Sequence, residues 1–278
     1  MKLADKSTIL IVPDSFKGTL SSIEASQAIA SAFESVFPNA KIHSLPLADG
    51  GEGSSSLIGK LVGAERREFE TFGPLGERIT SFLYYDQATF RAYIELAASS
   101  GLTLIKDLSC SAMRATTFGT GQLIKSAVAS GAREIFLFLG GSATTDGGVG
   151  FAKALGYRFL DSNGEVIKSA LEAEESRHEF EGEQLRRIAK VLPPPSLDTE
   201  NVKLTGIADV KNPLFGERGA AYVYGPQKGA SREMITELDT GLQNLADVCR
   251  RDLARDYSDS PGAGAAGGSG FGVLTFLK

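Results

Sequence analysis

The segment FLFLGGSATTDGGVGF, residues 136–151, runs from four apolar residues into a loop of glycines, small hydroxyl residues and one acid. Phe136 to Leu139 have the continuous apolar and aromatic character of a buried strand. A plain turn needs two or three permissive residues. Here Gly140, Gly141, Ser142, Thr144, Thr145, Asp146, Gly147 and Gly148 follow in near succession. Glycines let a backbone approach a ligand closely, and successive N–H groups form a nest that holds an anion. The hydroxyls add donors, and Asp146 could hold a metal ion or a substrate hydroxyl. The loop predicts a phosphate or anionic-substrate site; the plain alternative is a flexible surface loop.

Five further loops share this chemistry. PDSFKGTLS offers Asp14, Ser15 and Lys17 ahead of a helix, and LADGGEG offers Asp49 and Glu52 among three glycines. MRATTFGTGQ carries Arg114, Thr116, Thr117, Gly119, Thr120 and Gly121 before a second helix. IADVKNPLFG supplies Asp209 and Asn212, and GPQKGAS supplies Lys228 before a long helix. Helix N-termini and glycine loops favour anions, Lys and Arg counter phosphate or carboxylate charge, and carboxylates hold Mg²⁺ or act as a base. That inventory is what phosphoryl transfer requires. Asp49, Asp146, Asp209, Lys17 and Arg114 are the catalytic candidates, with Arg114 the best fork-shaped donor to a substrate carboxylate. Asp49 and Asp209 are the metal-ligand candidates. Asp14, Ser15, Glu52, Thr117, Gly119, Thr120, Gly140, Gly141, Ser142, Asn212 and Lys228 are candidates for substrate or phosphate binding. Each has a plain alternative: an Asx turn or cap for Asp14 and Asp49, a solvated lysine for Lys17 and Lys228, a surface ion pair for Arg114.

Two familiar motifs fail. Gly53 to Lys60 is one residue too long for a Walker A loop, and Leu61 stands where a hydroxyl is needed. GAGAAG at 262–267 matches G-x-G-x-x-G but follows DYSDSP instead of a strand, so it is a weak dinucleotide signal.

The 278 residues suffice for one large domain or two ordinary ones. A formal net charge of −5 with no basic run argues against nucleic acid as the main partner. No segment is long and apolar enough to span a bilayer, and the N-terminus lacks the pattern of a signal peptide. Cys110 and Cys249 are far apart and read as free thiols of a cytoplasmic protein. His43 and His178 also stand alone, which leaves acid–base chemistry to carboxylates and lysines.

These loops need elements to place them. STILIVPDSF reads as a strand, and SSIEASQAIASAFESVF as an amphipathic helix capped by Ser21 or Ser22. AKIHSLPLADGGEG and SSSLIGKLVGA repeat the plan, a β-α-β-α start whose loops follow strand C-termini, where open α/β sheets place ligands. From Glu65 the pattern changes to antiparallel strands with Gly-Pro and Asp-Gln turns. TGQLIKSAVASGA is a helix leading into the Phe136 strand, and VKLTGIADVKNPLFG is a strand and loop. SREMITELDTGLQNLADVCRRDLARDY is a long amphipathic helix. The charged stretch from Ser169 to Asn201, ending in three prolines, is expected to be an exposed linker or solvated helix without chemistry.

PDSFKGTLS, LPLADGGEG, GPLG, IELAASSGL, RATTFGTGQLI, LGGSATTDGGVG, ALGYRF, DVKNPL, GAAYVYGPQKGA and PGAGAAGGSGFG together resemble the bacterial glycerate kinases that phosphorylate D-glycerate with ATP. The blocks run in the family's order over nearly the whole chain. The resemblance implies two α/β domains with the active site between them. One is flavodoxin-like, built from the N-terminal segment and a C-terminal portion, and the other is a mixed-sheet domain inserted into it. Residues 1–64 would then be the N-terminal part of the flavodoxin-like domain and 65–278 the second domain. The implied reaction is transfer of the ATP γ-phosphoryl group, with Mg²⁺, to a glycerate hydroxyl, giving 2- or 3-phosphoglycerate. Relatives of this kind continue well past the PGAGAAGG block, so the flavodoxin-like half is expected to be incomplete here and to self-associate or stay mobile. A nucleotide or sugar-acid binding module without turnover is the alternative.

Overall fold

A computed structural model of the protein describes residues 7–14, 16, 19–109, 111–168, 181–196, 199 and 201–277. Strand β1 (Thr8–Ile11) leads through helix α1 (Ser22–Val36) to β2 (Lys41–Ser44) and α2 (Ser54–Val62). α1 begins in a capping box: Ser21 Oγ accepts the Glu24 N–H, and the Glu24 carboxylate accepts the Ser21 N–H. Such a cap stabilises a helix by about 0.5–2 kcal/mol. β1 and β2 pair in parallel with Ile9 beside Ile42, a sheet of two strands.

The chain then forms β3 (Glu65–Phe72), β4 (Arg78–Asp86), β5 (Arg91–Glu95), α3 (Ala97–Ser100), α4 (Ser111–Arg114), α5 (Phe118–Ala129) and β6 (Glu134–Phe138). After β6 come α6 (Val149–Ala154), β7 (Arg158–Leu160), α7 (Glu181–Gln184), β8 (Lys190–Leu192) and β9 (Lys203–Ile207). α8 (Ala220–Tyr224), α9 (Arg232–Leu253) and α10 (Ala265–Phe276) follow. Five strands make one mixed sheet in the order β3-β4-β5-β6-β9, antiparallel from β3 to β5 and parallel from β5 to β9. The fold is therefore α/β with several sheets, and the five-stranded sheet opens at Glu65, where the sequence pattern changes.

The main core lies between this sheet and the helices. Ile94, Leu123, Ile135, Leu137, Leu242, Leu245 and Phe271 are all buried in it. Phe276, near the end of α10, is surrounded by the rings of Tyr157, Phe159, Phe271 and Phe151 at 5.1, 5.8, 6.4 and 6.5 Å. The aromatic edges approach one another's faces, the arrangement their quadrupoles favour.

The reading of 169–201 as an exposed linker needs correction. Residues 169–180 lie outside the described residues, but Leu185, Ile188 and Val191 are buried, and β8 pairs antiparallel with β7. Asn244 of α9 donates to the Leu185 and Ile188 carbonyls, and Asp252 accepts the Val191 N–H. α9 needed cover for its apolar face, and three apolar residues among many charges supply it.

Candidate functional site at the strand ends

The parallel strands β5, β6 and β9 run in one direction, and the glycine loops follow their C-terminal ends. The loop after β2 reaches this edge. Gly140 N–H donates to the Gly50 carbonyl at 2.9 Å, and a Cβ on Gly140 would lie 2.3 Å from Gly51 Cα. Gly140 therefore has no room for a side chain against the Gly51 backbone. A Cβ on Gly50, whose φ is 88°, would meet Ile207 at the end of β9. The loop after β1 is tied in as well, since Leu47 N–H donates to the Pro13 carbonyl at 3.1 Å. The loops after β1, β2, β6 and β9 are thus linked by these contacts at the strand ends, and open α/β sheets hold ligands in the crevice outside such ends.

Several candidate residues flank these contacts. Asp49 stands one residue before the Gly50–Ile207 contact and Asp209 two residues after it. Asp49 Oδ1 accepts the Gly51 N–H at 2.7 Å in an Asx turn, which fixes the carboxylate beside the glycines. Glu52 is across from Gly141, whose φ of 75° presents its Cα to both Glu52 and Ala97. The segment after β6 is held by backbone bonds from Leu102 N–H to Gly141 O and from Ala143 N–H to Ser100 O, both 2.9 Å.

A second group, expected among the ligand-facing residues, is buried behind the first. Asp146 is fully buried and accepts four bonds: Thr117 N–H at 2.8 Å, Thr117 Oγ1–H at 2.7 Å, Gly148 N–H at 3.0 Å and Gly150 N–H at 3.2 Å. Burial pushes its carboxyl above the ordinary aspartate range, against the pull of those donors. All four partners donate, which suits the ionised form. Lys228 is also buried, and its Nζ donates to Ser142 Oγ at 3.0 Å and to the Thr144 carbonyl at 2.6 Å. Burial lowers its pKa to about 7, with the nearby Asp146 charge opposing. Thr120 Oγ1 shares hydrogen bonds with Ser99 and Ser100 at 3.1 and 2.9 Å. Gly119 serves packing, because a Cβ there would lie 1.9 Å from the Phe72 carbonyl.

The remaining candidates are more dispersed. Asn212 secures its own loop, donating to the Arg218 carbonyl and accepting from Tyr224 Oη–H at 2.7 Å. The Asp209 charge adds to the burial that raises the Tyr224 pKa, so Asp209 and this loop adjoin. Arg114 is exposed at the end of α4, and Asp14 is exposed beyond β1. Ser15 and Lys17 lie outside the described residues. Among the described residues no three His, Cys, Asp or Glu side chains form a metal-binding group. Asp49 and Asp209 lie on the loops after β2 and β9, which meet at Gly50 and Ile207, and Mg²⁺ needs only one or two protein carboxylates beside substrate phosphates.

Sequence reasoning missed Glu95. Its carboxylate is buried at the end of β5, and Oε1 accepts the Ser55 N–H at 2.7 Å in the first turn of α2. That bond joins α2, and the acidic glycine loop before it, to the five-stranded sheet. An acid inside the apolar run YIELA was the available signal. A groove of about 890 Å³ runs along the free edge of β9 between Leu204, Gly206, Val273 and Leu277, but no candidate side chain lines it.

Strand ends carrying glycine–hydroxyl loops beside carboxylates make this an α/β protein whose loop chemistry suits an anionic small molecule. The glycerate kinase family model matches residues 9–278. The chain is 41% identical over 271 residues to glycerate kinase from Halalkalibacterium halodurans, covering 97% of this chain and 68% of that protein. It is 42% identical over 274 residues to glycerate 2-kinase from Escherichia coli, with the same two coverages. Its fold is similar to the crystal structure of a protein described as glycerate kinase 2 from Salmonella typhimurium LT2, with a TM-score of 0.82 and 38% identity over 98% of this chain and 70% of that one. The chain belongs to the glycerate kinase family. No helix among the described residues is long and apolar enough to cross a membrane.

Proposed function

We propose that the protein transfers the γ-phosphoryl group of ATP to a hydroxyl of D-glycerate, using Mg²⁺, in the crevice at the strand ends. The observation that carries this reading is the meeting of the Gly50–Gly51 and Gly140–Gly141 backbones between Asp49, Glu52 and Asp209, in a member of a kinase family. Phosphoryl transfer asks a protein mainly for positioning and charge neutralisation, and glycine backbone flanked by carboxylates provides for both. Asp49 and Asp209 hold Mg²⁺ in this reading, and the ion when bound neutralises phosphate charge. In the same reading Asp49 or Glu52 orients the attacking hydroxyl or takes its proton. Arg114, on α4, supplies the paired donors for the glycerate carboxylate. Both substrates are small and anionic, no nucleic acid or membrane takes part, and the setting is cytoplasmic.

The test is ADP release from ATP with D-glycerate and Mg²⁺, with phosphorus NMR to distinguish 2- from 3-phosphoglycerate. Turnover is expected for the wild type. Asp49→Asn and Asp209→Asn are expected to lower kcat by about a hundredfold or more in at least one case, the scale of losing a metal ligand or base. Nucleotide binding by calorimetry without any turnover would make the protein a binding module instead.

A further inference from the structure

We propose that Lys228 is a positioning residue that clamps the 140–148 loop from behind, with Asp146 anchoring the loop's far end; this rests on the kinase reading above. Lys228 ends a 3-10 turn, Pro226–Lys228, in the connection between α8 and α9. Its position is set by the next residue: Gly229 has φ 81°, and a Cβ there would lie 1.9 Å from the Leu108 carbonyl. Only glycine lets the turn sit so close to that backbone. From this fixed base the Lys228 side chain crosses to the loop and donates to Ser142 Oγ and Thr144 O. Two residues on, Asp146 draws in Thr117 from the start of α5 and the N–H groups of Gly148 and Gly150. The loop is therefore pinned at alternate residues 142, 144 and 146 to two distant parts of the chain.

The loop's two threonine hydroxyls do not explain its shape. Thr144 Oγ1 and Thr145 Oγ1 are buried with no hydrogen-bond partner among the described residues. A loop left to satisfy itself would turn these hydroxyls toward its backbone. The clamp overrides that preference and leaves Gly140 and Gly141 as the part that meets the crevice. A neutral lysine still carries two N–H donors, enough for Ser142 Oγ and Thr144 O, so the clamp survives loss of the proton.

Lys228→Met keeps the stem and removes the donors. Hydrogen exchange of the amides at 142–148 is expected to rise by at least about tenfold while β5 and β6 exchange as before. In the same variant kcat is expected to fall by about tenfold or more, with the KM for ATP changed less than about threefold, the split expected of a group that positions without binding. Ser142→Ala, which removes one acceptor, is expected to loosen the same amides to a smaller degree, and it serves if Lys228→Met does not fold. Unchanged loop exchange in the folded variants overturns the proposal, as does loosening shared equally by the sheet. A wild type with a protected loop but no turnover would overturn the kinase reading and leave the clamp supported.

Discussion

At the scale of single residues, burial governs the chemistry of Lys228 and Asp146, because both charged groups are removed from water and held by hydrogen bonds. Residue type and spacing point to a loop that needs charge; which way a side chain faces is decided by helices far away in sequence. For Lys228 the consequence is a measurable pH dependence. Its pKa is about 7 when folded and near 10.5 when unfolded, because burial disfavours the charged amine. Between these values the unfolded chain binds a proton that the folded chain has shed, so raising the pH stabilises the fold. The slope approaches about 1.4 kcal/mol per pH unit where the difference is complete. Cys249 acts in the opposite sense above pH 9, since burial raises its thiol to about 12 and only the unfolded chain then loses the proton. The clean window is therefore pH 7 to 9. Wild-type stability in denaturant is expected to rise across it relative to Lys228→Met, and parallel curves for the two proteins would exclude a depressed Lys228.

At the scale of elements, the glycines separate into two kinds. Gly53 precedes α2 with φ 90° and nothing within 4 Å of where a Cβ would be. Gly267 lies in the kink of α10 with φ 65°, and its Cβ would fall 1.8 Å from the Thr144 carbonyl. Gly53→Ala is therefore expected to cost only the left-handed backbone penalty, about 1–2 kcal/mol. Gly267→Ala must also push apart two backbones and is expected to cost more than about 4 kcal/mol or to prevent folding. Chemical denaturation of both variants distinguishes the cases; equal small losses would mean that α10 can shift away from the 144–147 segment. This contact also explains GAGAAGG: the run packs backbone against backbone behind the site, and no dinucleotide motif is required. The β-α-β-α start, the antiparallel strands after Glu65 and α9 were legible because each carries its own period or cap. β7 and β8 were not, since they are three residues long and owe their burial to α9.

At the scale of the molecule, apolar surface is unevenly distributed. Leu10, Val12, Phe16, Leu20, Val36, Leu45, Leu47, Leu61 and Val62 are exposed, against Leu75, Leu104, Val166, Tyr222 and Val223 in all the described residues that follow. α1 buries only Ser22, Ala25 and Ser26, and the main core includes no residue before Phe69. A two-stranded sheet with one lightly packed helix has little to hold it, and its exposed apolar side chains favour association. The expectation is a unit at 7–44 that opens readily in isolated molecules and is covered when two copies meet, while α2 stays on the five-stranded sheet through Ser55 and Glu95. Limited proteolysis at low protein concentration should cut within 7–44 before any site in β3–β6. Raising the concentration should slow that cleavage, with light scattering showing a mass above the monomer. Leu10→Lys, which places a charge on a side chain that is 63% exposed, should restore the monomer with little loss of stability. A monomer at every concentration that resists protease throughout 7–44 would show that this unit is held more firmly than its burial implies.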